Sequence, residues 1–356
     1  ERPEHLTGLT ITDPIPAARA ALEALKGRAD VTVCVYHGGF ERDLDTGRVL
    51  STSSENIAYR LCQELDFDIL LTGHQHMCIP GQSLFGTFAV QAPDSGRAFI
   101  SLKAVVANGH VICNSQAVPA GGDCDPILLE RFGSLEQGAQ TWLDTVVGHL
   151  DRPLLPGPPL IMAAEGNDIA DFFNEVQMSC SGAQLAATSL ANEAAGFPQI
   201  VRRRDVLTAY PYTNTLMVLR VTGAVLRRAM ERSAEYFAVD EDGRLCVADS
   251  FLKPKVEHYN YDYYAGVDYA IDVSKPVGQR ITALTYQGKT VRDGDEFTIC
   301  LNSYRASGAG GYPEYTRCPI VREINVEMSD LILDFFKSHP KLSLKTRRWF
   351  TVFMSP

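Results

Sequence analysis

Two short segments carry the residues best suited to chemistry. Leu70-Leu71-Thr72 runs into Gly73-His74-Gln75-His76, and Val31-Thr32-Val33-Cys34-Val35-Tyr36 runs into His37-Gly38-Gly39. Neutral imidazole is the commonest metal ligand. Open α/β sheets place their ligands at the carboxyl ends of parallel strands. A Gly-His-x-His after one apolar strand and a His after another point to divalent-metal binding more than to polar strand caps. In an extended chain His74 and His76 fall on one side, about 6.5–7 Å apart. That spacing suits two ligands of one ion, or one ligand for each ion of a pair about 3.5–4 Å apart. Gly73 allows a sharp turn off the strand end. His37 reaches the same crevice when the two strands are neighbours.

Three imidazoles do not complete a dinuclear hydrolytic centre, which needs carboxylates to offset two divalent charges. No Asp-x-His and no Asn-His-Asp/Glu segment occurs in the chain. Glu165-Gly166-Asn167-Asp168 offers carboxylates, but at a helix start, where Asn167 reads as an N-cap.

The elements that must position these groups read as α/β over 14–118. A helix is expected over 16–26 and a buried strand over 31–36. Ser53-Ser54-Glu55 opens a helix to about 65 with an acidic first turn, and 68–72 is the next strand. Segments 85–91, 98–107 and 110–114 are β-rich, and Asn108-Gly109 is a hairpin turn. A Gly/Asp/Pro-rich connector covers 119–125. A helix is expected over 134–150, with Ser134 as N-cap and Gln137 completing a capping box. Prolines between 153 and 159 then break the chain. Beyond 160 the pattern predicts helices over 167–176, 182–192, 223–237 and 329–336, and strands over 215–221, 281–286, 296–302 and 349–353. The expected division is 1–125, a helical connector 126–159, and 160–356.

A length of 356 residues, 45% of them hydrophobic, allows a full core in each of two domains. The net charge of −10 argues against a nucleic-acid polymer as partner, because phosphate contacts need clustered Lys and Arg. Arg202-Arg203-Arg204 and Arg347-Arg348 read as short solvated clusters. No apolar run reaches the roughly 18 residues of a membrane span. The nine cysteines form no CxxC pair, and Cys34 and Cys300 sit in apolar runs, a usage that points to a reducing compartment. The start, Glu1-Arg2-Pro3, is charged and lacks Met, and is expected to be the boundary of a fragment.

Gly73-His74-Gln75-His76 and the His37 turn resemble the last two metal motifs of calcineurin-like metallophosphoesterases. The second region resembles the C-terminal domain of the 5'-nucleotidase/2',3'-cyclic-nucleotide phosphodiesterase family. The matching segments are Tyr210-Pro211-Tyr212-Thr213-Asn214-Thr215-Leu216, Tyr261-Asp262-Tyr263-Tyr264-Ala265-Gly266-Val267-Asp268-Tyr269 and Asn302-Ser303-Tyr304-Arg305-Ala306-Ser307-Gly308-Ala309-Gly310-Gly311-Tyr312. The resemblance implies the last part of an α/β metallophosphatase β-sandwich domain, followed by a complete α+β nucleotide-binding domain. It implies metal-dependent hydrolysis of nucleotide phosphoesters, of the 5'-nucleotidase or 2',3'-cyclic phosphodiesterase/3'-nucleotidase type, by the full-length protein. Two divalent ions (Mn, Zn, Fe or Co) would serve, with His37 and His74 on one and His76 on the other. The remaining ligands and the catalytic His are expected upstream of Glu1, so no catalytic residue is expected in this chain.

In the second region the resemblance makes Tyr212 and Tyr304 the rings that sandwich a nucleobase, with Asn214, Ser307 and Gly308 beside them. Stacking of that kind contributes about 1–3 kcal/mol per base. Arg305 is a nucleotide-binding candidate by proximity. Tyr261-Asp262-Tyr263-Tyr264 either lines the cleft or packs the core. Gly310 stands where several 5'-nucleotidases carry an acid, which fits the cyclic-phosphodiesterase-like or less selective members better. The implied partner is a nucleotide or nucleoside, and the family implies export where the cysteines imply the cytoplasm. Two other readings are a non-catalytic nucleotide-binding fragment and a sulfur-ester hydrolase on the same scaffold. The apolar strands 31–36 and 68–72 are expected to lack sheet neighbours, an invitation to association.

Overall fold

The computed structural model describes residues 7–50, 55–253, 255–344 and 347–355. Contacts divide the chain at residue 126, into Pro3–Pro126 and Ile127–Pro356.

The first unit is built on a sheet in the order Val33–Val35, Ile69–Thr72, Thr87–Gln91, Ile79–Leu84. The first three strands are parallel and the fourth is antiparallel. Helix Pro14–Leu25 starts where Asp13 accepts the Ile15 N–H at 3.0 Å and a proline takes the first position. The second helix runs Ala58–Glu64, later than Ser53-Ser54 suggested; those two serines lie outside the described residues. Its first-turn carboxylate is Glu41, which accepts from Tyr59 N (3.1 Å) and Arg60 N (2.9 Å). That capping group is remote in sequence and leaves no local signal.

Leu61, Cys62, Leu65, Leu70 and Ala89 form the buried centre. The expectation of a buried strand at 31–36 is corrected. Val33–Val35 is an edge strand, with Val33 46% and Val35 78% exposed, because it has one ladder neighbour and one covered face. The hairpin Ala98–Ala107/His110–Pro119 turns at Asn108 (φ 51°) and Gly109 (φ 78°), as its sequence predicts.

The second unit departs from the sequence reading at two places. The helix expected over 134–150 is Pro126–Leu143, with Ser134 in its interior, and Val146–Leu150 is a strand. That strand pairs with Ile200–Arg202 and Lys341–Leu342. Consecutive valines favour this pleated site, and Gly148 leaves room for the Phe336 ring, which a Cβ would overlap. The helix expected over 182–192 is also a strand. Gly182 (φ 68°) ends the helix Asp168–Ser181, and Leu185–Thr188 is buried between Tyr263–Ala265 and Glu296–Asn302. Two sheet neighbours there outweigh the helix preference of alanine.

The main sheet continues through Leu216–Thr222 to the edge strand Ile320–Ile324. Helices Gly223–Ala234 and Met328–Ser338 contribute Leu226, Met230, Ile332 and Phe336 to the large core. All nine cysteines are free thiols. Among the described residues no helix is long and apolar enough to cross a membrane.

Candidate functional site

In the first unit, the loops after two adjacent parallel strands are tied together by backbone and amide bonds. Tyr36 N donates to Leu71 O (2.9 Å), and Gly73 N donates to Gly38 O (3.2 Å). The buried Gln75 side chain accepts from Phe40 N at 2.7 Å and donates to Phe40 O at 2.9 Å. Asn56 Oδ1 accepts from Gly39 N at 2.7 Å. A Cβ on Gly39 would overlap the Gln75 carboxamide, and one on Gly38 would overlap the Tyr36 ring. These two glycines therefore serve the packing of the loop pair.

This frame brings His37 and His74 together, with ring centroids 5.5 Å apart at 62°. His74 (φ 69°) and His76 (φ 58°) are both left-handed, so the extended spacing expected for them does not hold. Non-glycine residues in that region cost about 1–3 kcal/mol each, and the Gln75 bonds between them hold them there. His76 is exposed on the side of Asp94, whose carboxyl is held below its usual range by the Ser95 hydroxyl first and by Arg97 and His76 after it. Nε2 of His74 lies 2.6 Å from Oε1 of Glu55, a carboxylate that the sequence presented only as a helix-start acid. Among the described residues no group of three or more His, Cys, Asp or Glu side chains is placed to hold a metal ion. His37, His74, His76 and Glu55 thus do not fit a complete dinuclear centre by themselves.

In the second unit, Tyr212 and Tyr304 each remain 36% exposed. The Tyr212 ring meets the buried Tyr210 ring edge-on at 6.1 Å. The buried Tyr210 hydroxyl lies near the side chains of Asn214 and Asn302, and its phenol is pushed up to about 12 by burial. Tyr304 stands on the single turn Ser303–Ala306, capped by Asn302 Oδ1 accepting from Arg305 N at 2.7 Å. Tyr259 lies near both rings. Burial pushes its phenol up, helped by Glu257, Tyr304 and Tyr212. The sequence reading passed over Tyr259; the available signal was one more aromatic just upstream of Tyr261-Asp262-Tyr263-Tyr264.

Arg305 is not free to meet a nucleotide, which corrects its candidacy. It is buried with Asp262, its Nε 2.8 Å from Asp262 Oδ2 and its Nη2 2.9 Å from Oδ1. Its remaining donors go to Ala309 O (2.7 Å) and Tyr259 O (3.0 Å). One guanidinium therefore fastens the segments carrying Tyr304, Tyr259 and the Gly-rich turn. Tyr261, Asp262, Tyr263 and Tyr264 are all buried and belong to the core, not to a cleft. Ser307 Oγ donates to Tyr304 O at 2.7 Å. Gly308 (φ 87°) and Gly310 (φ 73°) are left-handed, and a Cβ on Gly310 would overlap Arg305 and Asn260. The glycine that stands in place of an acid at 310 thus has a packing cause.

Residues 146–317 match the family model of the 5'-nucleotidase C-terminal domain. A candidate 5'-nucleotidase from Staphylococcus aureus, solved in complex with α-ketoglutarate, superposes with a TM-score of 0.88 at 34% identity, covering 99% of this chain and 70% of that one. A trifunctional nucleotide phosphoesterase protein of Bacillus subtilis is 24% identical over 91% of this chain and 25% of its own length. A 2',3'-cyclic-nucleotide 2'-phosphodiesterase/3'-nucleotidase of Haemophilus influenzae is 23% identical over 89% of this chain and 56% of its own length. The chain therefore spans between a quarter and about half the length of these curated relatives.

Proposed function

We propose, from the premise that this chain belongs to the 5'-nucleotidase family, that it is the base-holding part of a nucleotide phosphoester hydrolase. Its second unit would grip a nucleobase between Tyr212 and Tyr304, with Tyr259 flanking them and Asn214 beside the ring edge. Its first unit would contribute His37, His74 and His76 to a site for divalent ions whose other ligands lie outside this chain. The substrate would be a 5'-nucleotide or a 2',3'-cyclic nucleotide, as the names of the relatives suggest.

The observation that carries the reading is the phenol face itself. Two rings remain 36% exposed, and the backbone carrying one of them, Tyr304, is fastened by the buried Arg305 guanidinium. A flat base gains stacking there with little demand on base identity. Remote binding of this kind positions a phosphoryl group for reaction elsewhere. The test is calorimetric titration of adenosine and AMP into the chain. Saturable binding, weakened in Tyr212→Ala and Tyr304→Ala, is expected; binding untouched by the double variant would overturn the base pocket.

A second reading, in which the chain alone binds nucleotides without hydrolysing them, is favoured by the incomplete ligand set. With added Mn²⁺ the purified chain is expected to turn over neither AMP nor 2',3'-cyclic AMP. Turnover abolished by His74→Ala would remove that reading.

A further inference from the structure

We propose that the second unit carries a separate anion site for a phosphate group, in a cavity of about 450 Å³ lined by Arg220, Arg228 and Arg317. Ligand pockets are typically about 300–1,000 Å³. Thr222, Thr316 and Glu314 also line it, and none of Tyr212, Tyr259 or Tyr304 does.

The fold creates the concavity at the end of a ladder. Pairing between Leu216–Thr222 and Ile320–Ile324 shifts register between Val218 and Leu219. The last bond on that side is Arg220 N to Pro319 O at 2.9 Å. Beyond it the strand runs on to Thr222 and the helix Gly223–Ala234, while the turn Pro313–Arg317 closes the opposite wall.

Charge makes the place unusual. The chain carries a net charge of −10. Several arginines of this unit are paired, among them Arg204 with Asp144, Arg232 with Glu235, Arg305 with Asp262, and Arg348 with Asp168 and Asp171. Among the described residues Arg220, Arg228 and Arg317 form no ion pair, and all three are exposed. Against them the lining offers one carboxylate, Glu314. Three arginines and one glutamate in the lining give it a formal charge of about plus two. Like charges gathered around one cavity repel, and a bound dianion would relieve that.

The donors suit phosphate. Guanidinium forks match phosphate oxygens in pairs. Thr222 Oγ1 accepts the Val225 N–H at 3.3 Å, which leaves its own proton to donate. The helix start does not supply the amides: Gly223 N and Ala224 N already donate to Asp295 O (2.7 Å) and Asp293 O (3.1 Å). Recognition would therefore rest on side chains, and the helix dipole would add only a background of favourable potential.

The test is titration of inorganic phosphate, ribose 5-phosphate and ribose into the whole chain at low and moderate salt. Saturable phosphate binding that weakens with salt is expected, and ribose alone should not bind. Equal affinity for the two phosphates would identify a free-phosphate site; tighter ribose 5-phosphate would identify a phosphomonoester site. The triple variant Arg220→Ala/Arg228→Ala/Arg317→Ala should lose at least about tenfold in affinity, while Tyr212→Ala/Tyr304→Ala keeps it. The three residues are exposed, and a melting curve of the triple variant checks that it is folded. Glu314→Gln should tighten binding. No saturable phosphate binding, or equal binding by the triple variant, would overturn the proposal.

Discussion

The two units place their functional side chains by opposite means. In Pro3–Pro126 the histidines sit on loops beyond a sheet whose first strand is an open edge, with Val35 78% exposed. Their ring positions depend on one buried glutamine and on two residues held at positive φ. In Ile127–Pro356 Tyr304 stands on backbone anchored through a buried ion pair and Tyr212 rests on the buried Tyr210, backed by a core that includes Tyr261, Tyr264, Tyr312 and Tyr315. The lesson is that a stacking face of the proposed kind needs few supports within one unit, while a metal face needs donors from several strands. Stacking requires only two planes and a rigid support. Metal binding requires several donors converging within a few ångströms, and among the described residues only pairs meet, His37 with His74 and His74 with Glu55.

The largest expected effect tests the anchor. Arg305→Ala leaves the Asp262 carboxylate buried without its partner, at a cost of about 3–5 kcal/mol. Chemical denaturation followed by a probe of the second unit should register most of it. Adenosine binding should fall as well, because Tyr259 and Tyr304 lose their common support. A variant of unchanged stability would mean that the two units are not held as differently as their geometry implies.

Next comes the face itself. Tyr212→Ala and Tyr304→Ala are each expected to weaken adenosine binding by about 1–3 kcal/mol, roughly 5- to 150-fold, with little change in unfolding midpoint. A large loss of stability with unchanged affinity would reassign both rings to packing.

A smaller effect distinguishes the second unit by pH. Burial first, and Asp168 after it, push Asp171 up to about 7 against the opposing pull of Arg348. Its folded pKa then lies above its unfolded value near 3.8. Stability from this group is present below about pH 4 and is lost as pH rises through 7, by an amount on the order of 1–2 kcal/mol once solvent screening is allowed for. Asp171→Asn should flatten the melting temperature across that window. Asp168 is shifted downward, so its contribution is lost only in more acidic solution.

The smallest expected change concerns the open edge. Val33→Lys/Val35→Lys should reduce concentration-dependent association, seen by sedimentation, and leave the unfolding of the second unit unmoved. Identical behaviour of wild type and variant at high concentration would show that the edge is not a point of association.

Much of this was legible because it was local. Periodicity located the starts of the helices at 223 and 329 and of the strands at 215 and 296 to within a residue. Asn108-Gly109 announced its hairpin, and Asn167 its helix start, where its side chain accepts from Ile169 N at 2.8 Å. Both tyrosines lie within the family motifs, and both rings remain partly exposed. What failed was non-local. Leu185–Thr188 reads as helix because alanine favours helices, and only its two sheet neighbours make it a strand. Val146–Leu150 reads as the end of a helix until its partners arrive from residues about 50 and 190 positions away.

Residue type and order, then, determined which chemistry this chain could hold: imidazoles on strand ends and phenols in glycine-rich company. Tertiary structure alone decided which of those groups meet. It turned Arg305 from a ligand candidate into an internal clamp, drew Tyr259 towards Tyr212 and Tyr304, brought Glu55 to His74, and left His76 exposed. The reason is that propensity and spacing act over a few residues, whereas burial, ion pairing and ring contact depend on distances in space that join segments far apart in sequence.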